Sequence, residues 1–178
     1  MCDLPDEQCV DRQLSLAAAA ALRNLTAGGG TGSGASSADP FALFVGFRKP
    51  HPDWSVPARF VRAYTGYRLA PNRLAPADMP PVAFYSCDYT QAHADVGGTG
   101  AYSLGGTPLP ASLQHKIRAG YLGAVTWVDQ QIGGVLDALA EVGDAGNTVV
   151  VVVSDHGWSL GEHGMVRVTP RRCASVPH

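Results

Sequence analysis

Cysteine is scarce in this 178-residue chain: four residues, at positions 2, 9, 87 and 173, with no Cys-x-x-Cys pair among them. That spacing argues against a zinc site, and the density is too low for a disulfide scaffold, leaving room for a single bridge. Charge is sparse as well, at 16% of residues, with 13 Lys and Arg against 15 Asp and Glu for a net of -2. Without a basic face, nucleic acid is a poor partner. Long apolar runs are missing. The longest, Leu16–Leu22 and Val149–Val153, fall far short of the roughly 20 residues of a spanning helix, so no membrane partner is expected. The first residues, Met1 to Glu7, are acidic and lack the basic segment and apolar stretch of a signal peptide. What is plentiful is hydrophobic content, 46%, enough for a domain that buries roughly 70% of its unfolded surface. Gly 21 and Pro 13 predict many loops. The length fits one domain or part of a larger one.

Residues 6–25 predict a helix, with Val10, Leu14, Ala17, Ala18, Ala21, Leu22 and Leu25 at helical spacing. Residues 27–38, almost all Gly, Ser, Thr and Ala, read as a flexible insertion. No strand precedes these glycines and no lysine follows them, so they are not a phosphate loop. Phe41–Phe47 is a short continuous apolar run and reads as a buried strand. It ends in the polar, proline-containing loop 48–54, after which Pro57 opens a short helix to about Tyr64. Residues 66–110 carry no strong period. Ser112 to Val142 is the clearest helix, with an apolar stripe of Ile117, Tyr121, Val125, Val128, Ile132, Leu136 and Leu139, and Gly143 placed for a left-handed cap. Asn147–Val153 is β-branched and apolar on both faces, the pattern of a central parallel strand. The fold class is therefore α/β, a layered sheet of mostly parallel strands with flanking helices.

Two strand ends carry chemistry. Ser154-Asp155-His156-Gly157 follows the valine run, and ligands of open α/β sheets bind outside the carboxyl ends of strands. Asp155 and His156 can face one ion there; the structural alternative is a capping Asp beside an exposed loop His. The continuation Trp158 to Gly164 favours the functional reading, since a Gly-punctuated acidic and His loop has little structural purpose. Lys49-Pro50-His51 closes the other apolar run. Its Lys and His are donors suited to an anionic oxygen group, against the alternative of a solvated turn. His93 and His115 belong to no pattern, and His115 is expected to be solvated. Asn24-Leu25-Thr26 fits a glycosylation triplet, which is common by chance.

Four stretches together resemble the sulfatase family of the alkaline-phosphatase-like superfamily, and within it the iduronate-sulfatase branch. They are Leu4–Cys9 with the helix behind it, Pro40–His51, Leu113–Gly133 and Thr148–Gly164. The resemblance implies part of an alkaline-phosphatase-like catalytic domain over 1–165. The expected activity is sulfate ester hydrolysis on sulfated glycosaminoglycan sugars, in a lysosomal or secreted setting. It assigns Asp155 and His156 as ligands of a bound calcium and His51 to the sulfate or its leaving oxygen, with Lys49 a weaker candidate. Asp is a natural calcium ligand; the His leaves manganese or zinc open on donor type alone. Two departures stand out. The family's paired N-terminal Asp ligands and its Cys-x-Pro/Ala-Ser-Arg motif, source of the formylglycine nucleophile, are not encoded here. Residues 166–178 match nothing expected and read as an anomalous tail. The chain is accordingly expected to be an internal fragment, inactive by itself. The alternatives are another superfamily hydrolase, choline-sulfatase-like or acting on phosphodiesters or phosphonates, and a non-catalytic α/β remnant that binds a metal or a partner.

Overall fold

A computed structural model describes residues 5–27, 40–80 and 108–168. Residues 28–39 of the Gly/Ser insertion, His93, and residues 169–178 of the tail lie outside the described residues.

The proline-free stretch 111–141 forms one helix, α3 (Ala111–Glu141), 31 residues long and therefore about 46 Å in length. Pro110 precedes its first turn, and Gly143, at φ 77°, terminates it as the left-handed residue the spacing predicts. Two further helices pack on it. The helix α1 (Val10–Thr26) follows a single 3-10 turn at Asp6–Gln8, because Cys9 adopts extended backbone and separates the two. The short helix α2 (Ala58–Arg62) follows Pro57, which stands just outside the helix rather than in its first turn.

The helices α1 and α3 run parallel. Ser15 Oγ donates to the Gln131 carbonyl at 2.8 Å, and further along Arg23 meets Glu141 at 2.6 Å. Between these points Ala19 and Leu22 pack on Ala138 and Leu139. The amino-terminal half of α3 meets α2 and the main core, in which Trp54, Val56, Leu109, Ile117, Ala124, Trp127, Leu160 and Val166 are buried together. Trp54 lies edge-on to both Tyr121 and Trp158, with ring centroids 5.7 Å apart in each pair. Small residues permit this closeness. A Cβ on Gly123 would stand 3.0 Å from the Val61 backbone, and one on Gly120 would stand 3.2 Å from the Trp54 ring.

The buried face of α3 overlaps the expected stripe in part. Ile117, Val128 and Leu139 of the stripe are buried, together with Gln114, Gly123, Ala124, Trp127, Gln131 and Ala138, whereas Val125 and Leu136 are 38% and 41% exposed. The covered face is the one that meets α1, α2 and Trp54. Ile132 and Leu136 of the stripe, with the edges of Val128 and Leu139, line an open groove, which is the side a sheet layer would occupy.

The expected parallel sheet is not assembled by the described residues. Their one sheet is a hairpin, β1 (Trp158–Leu160) antiparallel to β2 (Val166–Val168), with Leu160 opposite Val166. Thus 166–168, expected to open the anomalous tail, pair with the body of the chain. Phe41 to Arg48 alternates half-buried and exposed residues, the period of extended chain. Val149–Val153 enters through an extended Thr148, yet its side chains are 51–88% exposed. Neither Phe41–Phe47 nor Val149–Val153 makes a backbone–backbone hydrogen bond among the described residues. β-branched residues favour extended backbone, but a strand becomes part of a sheet only when a neighbour takes its N–H and C=O groups.

Candidate functional site

The Lys49-Pro50-His51 turn is anchored from two directions. Asp11, on α1 and only 3% exposed, accepts a hydrogen bond from the Arg48 backbone N–H at 2.7 Å. The buried Trp54 donates from Nε1 to the Pro50 carbonyl at 2.7 Å. Between these anchors the turn closes on itself. His51 N–H donates to the Arg48 carbonyl at 3.0 Å, Lys49 Nζ donates to the His51 and Asp53 carbonyls, and His51 Nδ1 meets the Pro52 carbonyl oxygen. The Lys49–Pro50 and Pro52–Asp53 peptide bonds are cis. Main-chain acceptors thus hold the two side chains in a defined cluster.

Asp155 and His156 stand at the end of the valine run. Asp155 Oδ1 accepts the His156 N–H at 2.9 Å, the local bond of the structural reading. Its Oδ2 lies 3.6 Å from His156 Nε2. Ser154 Oγ donates to the His156 carbonyl at 2.7 Å and braces the turn. The Asp155 side chain is 86% exposed, so its carboxylate is open to an incoming cation.

Lys49, His51, Asp155 and His156 all line one groove of about 1610 Å³, whose floor is the apolar stripe of α3. One wall is the 40–48 segment and the other is the valine run. Among the described residues no group of three or more His, Cys, Asp or Glu side chains is placed to hold an ion.

The turn that follows is locked to α3. Arg118 Nη1 pairs with Glu162 Oε1 at 2.9 Å, and Glu162 Oε2 accepts the Leu160 N–H at 2.6 Å. The buried Gln114 accepts the Ala70 N–H at 3.1 Å. His115 is half-buried with Nδ1 2.7 Å from the Tyr67 carbonyl, rather than solvated, because the 64–70 segment folds over the first turns of α3. Sequence reading did not single out Arg73, which lines a second cavity together with His163. The only local signal was the pair of glycines, Gly161 and Gly164, around His163, since the partner segment lies some 90 residues away. Titration is perturbed away from these sites: Arg59 beside Asp6 holds its carboxyl below the usual range, and burial pushes the Tyr121 hydroxyl up.

Comparison with known proteins gives the following. A family model described as Sulfatase matches residues 19–174. The chain is 40% identical to iduronate 2-sulfatase of Mus musculus over 131 residues, covering 72% of this chain and 24% of that protein. It is 35% identical to iduronate 2-sulfatase of Homo sapiens over 159 residues, covering 80% and 29% respectively. A sulfatase of Formosa agariphila is 33% identical over 133 residues, 70% of this chain and 23% of that protein. The chain thus spans about a quarter of the length of these relatives.

Proposed function

Because the chain belongs to the sulfatase family, we propose that it forms part of a sulfuric ester hydrolase of the iduronate 2-sulfatase kind. Its substrates are sulfated glycosaminoglycan sugars, and its resident ion is calcium. The observation that carries this reading is that Lys49, His51, Asp155 and His156 line one groove. Cationic donors stand on one side of it, and a carboxylate with an imidazole on the other.

The donor set fits a divalent ion in part. The Asp155 carboxylate is exposed, and its Oδ2 and His156 Nε2 lie 3.6 Å apart, close enough to turn to a common centre. Calcium takes six to eight oxygen ligands, so most of its shell must come from elsewhere. When bound, calcium supplies positive charge that polarises an ester oxygen. Lys49 and His51 donate to sulfate oxygens and to the charge that develops on the departing oxygen. The His51 and Asp53 carbonyls hold the Lys49 ammonium in place for that task. No cysteine of the chain stands in the Cys-x-Pro/Ala-Ser-Arg order, so its residues bind and orient while the nucleophile is not among them.

Calorimetric titration of the full chain with calcium tests the reading. Weak saturable binding is expected, with the heat lost in Asp155→Ala and reduced in His156→Ala. Equal heats from all three proteins would remove the site. In an assay with a sulfated iduronate disaccharide and calcium, the chain co-expressed with the cysteine-converting enzyme is expected to show background hydrolysis only. Turnover that vanishes in Asp155→Ala would show that the chain does hold a nucleophile.

A further inference from the structure

A second cavity, of about 610 Å³, lies between the 70–76 loop and the turn that carries His163. It shares no lining residue with the groove. Its lining is apolar except for Asn72, Arg73 and His163, and contains no carboxylate. The nearest acid in sequence, Glu162, is taken up by Arg118 and the Leu160 N–H.

Two nitrogens here lack a partner. Arg73 Nε and His163 Nδ1 are both buried and make no hydrogen bond. Elsewhere these side chains are fixed. Arg73 Nη2 donates to the Leu109 carbonyl at 2.8 Å, and the His163 backbone N–H donates to the Asn72 carbonyl at 2.7 Å. Asn72 and His163, with φ of 49° and 55°, are the non-glycine residues of positive φ among the described residues. Such backbone is uncommon outside glycine and gathers at binding sites. Here the two residues both line one cavity and are joined by a backbone hydrogen bond.

The chemistry of the orphans selects the ligand. A guanidinium nitrogen is only ever a donor, and imidazole Nδ1 is a donor in one of its tautomers. An unmet buried donor is costly, and an acceptor seated beside both side chains relieves that cost. Arg73 keeps its charge, so the acceptor that best compensates it is an anion with two or more oxygens. We propose that this cavity binds a small oxyanion, a carboxylate or a sulfate group, between Arg73 and His163. The site is separate from the groove and does not depend on the calcium reading.

Titration of the full chain with sodium sulfate and, separately, sodium acetate tests this. Saturable binding of at least one is expected: sulfate alone identifies a sulfate-type ligand, acetate alone a carboxylate. Arg73→Gln and His163→Asn should each weaken it at least tenfold. Asn is chosen because it tolerates positive φ, and it keeps the test valid if Arg73→Gln fails to fold. Arg23→Gln, an exposed cation that lines neither cavity, should bind the anion as the native chain does. No saturable binding of either anion would overturn the proposal. So would binding that survives in both cavity variants, or binding lost in Lys49→Gln and kept in Arg73→Gln.

Discussion

Asp11 shows how much one side chain can do at a distance. It is a buried carboxylate whose recorded hydrogen bond goes to the Arg48 N–H, 37 positions away. Asp11→Ala leaves that amide without its acceptor and is expected to cost about 1–3 kcal/mol in urea unfolding. Asp11→Asn keeps an oxygen at the same place and should cost less. Equal losses would show that the charge, not the hydrogen bond, matters. Nothing in the sequence marks Asp11, because its value lies in a long-range partner. Lys49, His51, Asp155 and His156 were legible for the opposite reason: each sits at the end of an apolar run, where pattern alone identifies an exposed polar turn.

Among the elements, α3 was read almost to its ends, since 31 residues without proline and a glycine cap leave few alternatives. Its face was read in part, with Ile117, Val128 and Leu139 buried and Val125 and Leu136 exposed, because periodicity shows which residues are apolar and not which neighbour arrives first. Two of its glycines make opposite predictions. Gly133 has open space around a built Cβ, whereas at Gly123 the Val61 backbone stands 3.0 Å away. Gly133→Ala should stabilise by about 0.5–1 kcal/mol and raise the thermal midpoint. Gly123→Ala gains the same helix preference but pushes α2 off α3, and the midpoint should fall. The 3-10 turn before α1 is tethered to α2 by Arg59 and Asp6. Because the Asp6 carboxyl is held below its ordinary value of 3.8 by that partner, its contribution is present above about pH 4 and fades as acid protonates it. The pair is solvent-exposed, so the contribution is about 1 kcal/mol or less. Arg59→Ala should lower stability slightly at pH 7 and make no difference at pH 2. A loss that persisted at pH 2 would assign the effect to packing.

At the scale of the whole molecule, the described residues build the helical layer and leave the parallel sheet layer unassembled. The α/β class was read from strand, helix, strand order; the pairing that makes strands a sheet is long-range, and no local pattern contains it. The valine run then has a testable surface character. Val151 is 75% exposed, so Val151→Lys should leave the unfolding midpoint unchanged. It should also slow aggregation, because a charge interrupts an apolar β-prone segment. A lowered midpoint would show that the run is packed after all. The same feature sets a clock on the backbone. The amides of Val149–Val153 donate to no internal carbonyl among the described residues, so deuterium should replace their protons at close to the rate of an unstructured peptide. The buried turns of α3 around Trp127 should retain theirs until larger openings occur. The segment richest in β-forming residues will then be among the first to label, and any polypeptide that pairs with it will announce itself as a sudden slowing there.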